Sequence, residues 1–281
     1  MKTVRNQRFD SEREFYESDG LHLIGCSFDG ENDGESAMKE SKNVIAEDCY
    51  FNLRYPFWHC NDVKIDKSEL SPLCRAAFWY TRDIFIADSK LLGIKALREC
   101  QDANLSNCKI DSGELGWLCD RIVFNACDIN SEYFMMHSKN VTLSLTNFSG
   151  KYSFQYVENA LIDCCVLNTK DAFWHSKNVH VKNSVVNGEY LGWYSENLTL
   201  ENCIIKGTQP LCYCKGLKLI SCKMTDCDLS FERSYVEADV NSSILSVKNP
   251  YDGYIKSPCI DNYIRDDEKY KCKVYSGGKL L

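Results

Sequence analysis

The segment NVHVKNSVV, which begins at Asn178, aligns residue for residue with NLTLENCII, which begins 19 residues later at Asn197. Working outward from this pair, the same pattern recurs through most of the chain. Its copies begin at Gly20, Asn43, Asp62, Asp83, Asp102, Arg121, Asn140, Asn159, Asn178, Asn197, Gly216 and Tyr235. We call these first residues the anchors, and all but two steps between them are 19 residues long. A fixed period of this kind indicates a solenoid that adds one coil per repeat.

The residues inside each copy predict strands. The first and third residues after the anchor are apolar, as Val179 and Val181 are after Asn178, and alternation with period two is typical of a strand. A small residue follows at the sixth position and a large apolar one at the eighth, so a second strand presents one side inward. A turn then leads to a third strand before the next anchor. We therefore predict an all-β parallel β-helix of about twelve coils, each with three short strands.

Two other repeat architectures deserve comparison. A leucine-rich repeat also fits a segment such as NLTLENCII, but its period is 20–29 residues and it requires Leu where this chain carries small residues before each anchor. It ranks second. A left-handed β-helix built on hexapeptides repeats in multiples of six, and nineteen is not one. The parallel β-helix is the fold that fits the spacing.

The 17 cysteines fit the same coil. Eleven occupy small inward positions, where a thiol packs as a compact hydrophobe, so we expect reduced, stacked thiols. Alternation sends Cys164 and Cys165 to opposite sides, and no second Cys/His pair at structural-zinc spacing accompanies them or Cys212 and Cys214. We expect neither metal nor cofactor.

Composition narrows the choice of partners and compartment. The chain has 281 residues, a net charge of −7 and no Lys/Arg block, so we expect no nucleic acid partner. No stretch approaches the roughly 18 apolar residues of a membrane span, and MKTVRNQRFDSEREF has no apolar run typical of a signal peptide. We expect no membrane partner and a cytoplasmic location.

The regular coils, Asn-rich anchors, cysteine ladders and terminal segments resemble an uncharacterised bacterial family of pectin-lyase-like right-handed parallel β-helix proteins. The resemblance covers roughly residues 20–260 and concerns the fold. It implies a right-handed helix, in a superfamily that includes polysaccharide-active enzymes and members without known activity. The catalytic Asp/Lys/Arg patterns of those enzymes do not match this chain, so none of their active-site residues is carried over.

The five tryptophans all lie four residues before the next anchor: Trp58, Trp79, Trp117, Trp174 and Trp193. A period-two third strand places these indoles inward, together with the small residues two positions later. Residues on the other side of that strand, three and five positions before the anchor, then face outward and are aromatic or apolar. They include Phe57, Phe78, Phe154 and Phe173. If the parity were reversed, the indoles would be exposed instead.

The outward positions suggest a binding face. Five consecutive coils carry His137, Tyr156, His175, Tyr194 and Tyr213. Flat rings with polar tips suit a carbohydrate-like ligand, and Tyr and Phe are equally common in a homodimer interface. A terminal segment could also cover this face. A metal among these rings is not expected.

Acidic residues supply the alternative of an enzyme. Asp171 and Glu189 lie in turns of adjacent coils near His175, and one coil spacing resembles the carboxylate separation of retaining glycosidases. The first hypothesis is a non-catalytic binding or assembly module using the aromatic face. The alternative is a carbohydrate-active enzyme, a lyase or glycoside hydrolase. Residues 1–19 are predicted as an N-terminal cap, 20–253 as the β-helix and 254–281 as a C-terminal cap or tail.

Overall fold

The computed structural model describes residues 1–281 and contains strands and turns but no helix. Every coil begins with a first strand, and these strands are Lys2–Arg5, Asp19–Ile24, Lys42–Glu47, Asn61–Asp66, Arg82–Ala87, Gln101–Ser106, Asp120–Asn125, Lys139–Ser144, Glu158–Asp163, Lys177–Lys182, Glu196–Glu201, Leu217–Thr225, Tyr235–Val240, Asp252–Ser257 and Lys273–Ser276. Second strands are Arg8–Phe9, Ser27–Phe28, Tyr50–Phe51, Glu69–Leu70, Lys90–Leu91, Lys109–Asp111, Asp128–Glu132, Asn147–Lys151, Val166–Asn168, Val185–Asn187, Ile204–Lys206, Ile244–Lys248 and Ile260–Ile264. The strand Lys279–Leu280 pairs antiparallel with Lys273–Ser276.

The chain divides into two units, Met1–Asn147 and Phe148–Leu281, and each is a stack of parallel coils. In unit 1, Ile84 pairs with Val63 on one side and Ala103 on the other. In unit 2, Val179 pairs with Ala160 and Leu198. These partners are the residues that the repeat aligns, so the predicted all-β parallel β-helix is confirmed. Its right-handedness stays a prediction.

The fifteen first strands bound about fourteen complete coils rather than the predicted twelve. The additional coils lie in the segments where the repeat is hardest to see. Lys2–Arg5 pairs in parallel with Leu21–Ile24, and Tyr254–Ser257 pairs in parallel with Lys273–Ser276. Residues 1–19 and 254–281 therefore contribute coils of their own, and their capping role stays a prediction.

The interior of each unit is filled by the residues that the period-two pattern selects. Val179 and Val181 are fully buried. Of the 17 cysteines, all free, only Cys164 and Cys259 are exposed, and Cys165 is buried beside Cys164 as the alternation predicts. The inward thiols also donate hydrogen bonds, as Cys203 does to the carbonyl oxygen of Val181 at 3.4 Å. Cysteine is therefore a packing residue in this fold.

The anchors have a backbone role as well. Asn178 and Asn197 have φ values of 53° and 55°, in the left-handed region that Asn and Asp tolerate better than most residues. Their side chains form a ladder, since Nδ2 of Asn197 donates to Oδ1 of Asn178 at 3.0 Å, and Asn178 donates likewise to Asn159 at 3.1 Å. These anchors therefore lie inside the first strands, where they adopt left-handed backbone and form a side-chain ladder.

The third side of each coil differs from the prediction. It contains strands only at Phe78–Trp79 and Leu97–Arg98, and is otherwise built of turns. In unit 2, the backbone N–H of Ser176 donates to the carbonyl oxygen of Phe173 at 3.2 Å, which closes a β-turn over residues 173–176. Its third residue, His175, has a φ of 55°, the sign that a type II turn requires. Residues 192–195 form the same kind of turn.

Candidate functional site

The turn decides which aromatic side chains reach solvent. Phe173 and Ser176, at its two ends, are buried, whereas Trp174 is half-buried and His175 is exposed. Both central residues of a turn project away from the coil, so the period-two parity does not apply here. The prediction of inward indoles is therefore wrong.

The outward placement of the aromatic residues five positions before the anchors is wrong for the same reason. Phe57, Phe78, Phe154 and Phe173 are buried inside their coils. The spacing between each buried phenylalanine and the small residue after it could have revealed this inward placement. Phe173 and Ser176 lie three residues apart, which suits the ends of a turn rather than one side of a strand.

Four of the five predicted binding residues form one stack in unit 2, which we call the ring column: Tyr156, His175, Tyr194 and Tyr213. Successive ring centroids are 5.0, 5.0 and 4.9 Å apart, and the planes lie within 14° of parallel. Because each ring covers the face of the next, the column presents ring edges and polar tips. His137 belongs to unit 1, where it is exposed at the same position of its coil.

Tryptophan borders the ring column in unit 2. The indoles of Trp174 and Trp193 stack with centroids 5.3 Å apart and planes 5° from parallel. Nε1 of Trp174 donates to the carbonyl oxygen of Tyr190 at 2.6 Å, and Nε1 of Trp193 donates to that of Gln209 at 2.8 Å. Each indole thus ties its coil to the next, a role that the sequence pattern did not reveal.

Charged residues lie two positions after the rings of the column along the chain. The carboxylate of Glu196 lies 3.7 Å from Nζ of Lys177 and 3.8 Å from Nζ of Lys215. Burial raises the pKa of the Tyr213 phenol, so this hydroxyl stays protonated at neutral pH. The ring column therefore offers hydrogen-bonding tips beside paired charges.

The two acidic candidates lie on adjacent coils but in different surroundings. The backbone N–H of Asp171 donates to the carbonyl oxygen of Glu189 at 3.0 Å. Asp171 is only 7% exposed, and burial raises the pKa of its carboxyl group. Glu189 is exposed, and its carboxylate lies 2.9 Å from Nζ of Lys170. His175 stacks on Tyr156 and Tyr194, so the structure gives it ring contacts rather than a carboxylate partner.

Unit 1 contains a groove that the sequence analysis missed. It has a volume of about 580 Å³ and is lined by Glu40, His59, Asn61, Tyr80, Arg82, Glu99 and Gln101, among others. His59 and Tyr80 meet edge to face at 5.5 Å, so the rings here do not cover one another as they do in unit 2. The sequence does contain a pattern that indicates this groove, because the polar residues Asn61, Arg82 and Gln101 each directly precede an anchor.

Neither unit brings three or more His, Cys, Asp or Glu side chains together in a way that could hold a metal ion. No helix of sufficient length and apolarity to cross a membrane is found in the structure.

Fold and surface together define a parallel β-helix protein with an exposed column of stacked rings. The chain belongs to the family described as "Protein of unknown function (DUF3737)", whose model matches residues 2–275. No curated protein matches the chain. The likeness to pectin-lyase-like proteins stays a prediction, because the family description does not name that fold.

Several solved structures are similar over most of the chain. A mutant of the tailspike protein of E. coli bacteriophage HK620, in complex with a pentasaccharide, has a TM-score of 0.47 and 9% identity, covering 91% of this chain and 62% of its own. The A-module of the mannuronan C-5 epimerase AlgE4 of Azotobacter vinelandii has a TM-score of 0.26 and 7% identity, covering 98% of this chain and 87% of its own. The chain thus spans about three fifths of the tailspike chain. At these TM-scores, neither likeness carries an argument about function.

Proposed function

We propose that this chain is a non-catalytic binding module whose ring column in unit 2 takes a carbohydrate-like ligand. The observation that carries the proposal is the parallel stacking of Tyr156, His175, Tyr194 and Tyr213 at 4.9–5.0 Å, with the first three residues exposed and Tyr213 half-buried. The stack holds the rings in fixed positions, so little side-chain freedom is lost when a ligand binds.

The exposed atoms favour a ligand rich in hydroxyl groups. Aromatic ring edges carry partial positive charge, and the phenol and imidazole tips donate and accept hydrogen bonds. Such a surface rewards oxygen atoms repeated along a chain, whereas an apolar partner would leave the tips unsatisfied. The carboxylate of Glu196 and the ammonium groups of Lys177 and Lys215 provide further partners on one side.

A glycan array followed by calorimetric titration of the best ligand tests the proposal. Tyr194→Ala removes a ring from the middle of the column, and we expect it to weaken binding at least about tenfold, with Tyr194→Phe intermediate. Tyr235→Ala is a matched control in the same unit, since Tyr235 is also exposed and packs against Tyr251 away from the column. Equal losses in Tyr194→Ala and Tyr235→Ala, or no glycan bound, would contradict the proposal.

Light scattering separates ligand binding from self-association. We expect a monomer whose mass is unchanged by Tyr194→Ala. A dimer that dissociates in Tyr194→Ala would identify the ring column as an interface between copies and would replace the proposed function.

A second candidate is a carbohydrate-active enzyme, favoured by the contrast between Asp171 and Glu189. A buried carboxyl with a raised pKa can donate a proton, and the carboxylate of Glu189 on the adjacent coil forms an ion pair with Lys170. If a polysaccharide is cleaved by the purified chain, Asp171→Asn and Glu189→Gln must each abolish the cleavage. Activity that survives in both variants would exclude this pair.

A further inference from the structure

The groove of unit 1 is formed where the turns of successive coils meet the starts of their first strands. Glu40, His59, Tyr80 and Glu99 follow one another on the turn side, one per coil. Arg82 begins a first strand and pairs in register with Asn61 on one neighbouring strand and Gln101 on the other. The groove therefore combines the aromatic and acidic side chains of the turns with one guanidinium and two amides at the starts of the first strands.

The charged side chains of the groove are held in different ways. Oε1 of Glu40 lies 3.1 Å from Nδ1 of His59. Glu99 accepts a hydrogen bond from Nε1 of Trp79 at 3.3 Å. Arg82 is exposed, and its guanidinium makes no hydrogen bond or ion pair within unit 1, in contrast to Arg121 on a nearby coil, which binds Asp102 at 2.6 and 2.7 Å. A guanidinium open to the groove is a ready partner for a carboxylate.

A ligand for this groove has to complement both signs of charge. A dianion such as a phosphate monoester would meet Glu40 and Glu99 as well as Arg82, and like charges at close range disfavour it. A ligand with one carboxylate and one ammonium group can place the first at Arg82 and the second at a glutamate. The amides of Asn61 and Gln101 suit the N–H and C=O groups of a peptide backbone.

Distance selects the length of the ligand. Glu40 and Arg82 are two coils apart, or about 10 Å at the usual inter-strand spacing. An extended peptide spans at most about 3.3–3.6 Å per residue, so three residues reach from one charge to the other. Asn61 begins the strand between these two coils, where the middle of such a peptide would lie. A groove of about 580 Å³ accommodates a ligand of this size.

We propose that the groove of unit 1 binds a short zwitterionic peptide of about three residues, with its C-terminal carboxylate at Arg82 and its ammonium group at Glu40. Tyr80 packs against the peptide between the two ends. This site lies in the other unit from the ring column and does not depend on the proposed carbohydrate ligand.

Titration of the full chain with glycyl-leucyl-glycine tests the proposal. We expect saturable binding at millimolar peptide, weakened by salt because charged groups meet in water. Amidation of the C-terminus or acetylation of the N-terminus is expected to weaken binding at least about tenfold each. Free leucine should bind more weakly than the tripeptide, since its two charges are too close to reach both partners. No binding, or equal binding of the free amino acid, would overturn the proposal.

A double-mutant cycle connects each end of the peptide to its residue. In the Arg82→Gln variant, the peptide and its C-terminal amide should bind with the same affinity. In the Glu40→Gln variant, the peptide and its N-acetylated form should bind with the same affinity. Lys109→Gln removes a positive charge from an exposed strand position outside the groove and is the matched control. If amidation of the peptide still weakens its binding to the Arg82→Gln variant, the placement of the C-terminal carboxylate at Arg82 is wrong. Tripeptide binding lost in Tyr194→Ala but retained in Arg82→Gln would place the peptide at the ring column instead.

Discussion

Phe154 and Phe173 lie face to face inside unit 2, with ring centroids 5.1 Å apart and planes 12° from parallel. Each begins a turn whose third residue, Tyr156 or His175, carries a solvent-facing ring. The core of this unit and its exposed ring column are therefore built by the same turns, and the two can be tested separately by mutation.

The first prediction compares Phe173 with its neighbour Trp174. Phe173→Ala leaves a cavity among buried side chains and is expected to lower the free energy of unfolding by about 3–5 kcal/mol. Trp174→Ala removes a half-buried ring and one hydrogen bond to Tyr190, so a smaller loss of about 1–2 kcal/mol is expected. Urea unfolding measures both. A larger loss of stability in Trp174→Ala than in Phe173→Ala would indicate that the indoles belong to the core.

The second prediction concerns the side-chain ladder at Asn183. This residue has a φ of 51°, donates to Asp163 at 2.9 Å and accepts from Asn202 at 2.9 Å. Asn183→Ala loses both hydrogen bonds and replaces Asn by a residue that tolerates left-handed backbone less well, so we expect a loss of about 1–2 kcal/mol in the free energy of unfolding. Asn183→Gly keeps the backbone freedom and should cost less. Equal losses in the two variants would show that backbone conformation contributes little here.

The third prediction is the pattern of thiol reactivity. Burial raises the pKa of Cys60 to about 12 and that of Cys214 to about 11, so these thiols stay protonated and shielded at pH 8. Mass spectrometry after brief alkylation should find label at Cys164 and Cys259. Rapid labelling of Cys60 or Cys214 in the folded chain would contradict the packing.

The exposed thiols provide an internal control for the same experiment. The carboxylate of Asp163 raises the pKa of Cys164, so Asp163→Asn should speed alkylation of Cys164 at pH 8. Cys259 lies beside Asp261 instead, and its rate should not change. A parallel rise at both cysteines would indicate general loosening of the fold rather than a local charge effect.

The fourth prediction follows from the buried carboxyl of Asp171. Its pKa is raised in the folded chain, so protonation favours the folded state, and that contribution is lost as pH rises through the folded pKa. Asp171→Asn should therefore be more stable than the natural chain at pH 7, with the difference disappearing below about pH 4. Urea unfolding at the two pH values measures this. Glu189→Gln, which only loses an exposed ion pair with Lys170, should show little effect of this kind.

The 19-residue spacing determined which residues meet on neighbouring coils. Val179 lies beside Leu198, and the ladder of Asn159, Asn178 and Asn197 forms, because a parallel stack brings residues one period apart into register. The left-handed anchors and the inward cysteines follow from the same period. These features depend on local residue type and on the repeat, and both are visible in the sequence.

The tertiary structure alone decided which way the aromatic side chains point and how they are covered. Phe173, Trp174 and His175 are consecutive, and their burial depends on a turn whose closing hydrogen bond joins Phe173 to Ser176. The same holds for the groove at Arg82, since Glu40, His59 and Glu99 come to it from turns of other coils. Periodicity specifies which residues are neighbours along a ladder, whereas the direction of a side chain depends on backbone torsions that a period of two does not describe.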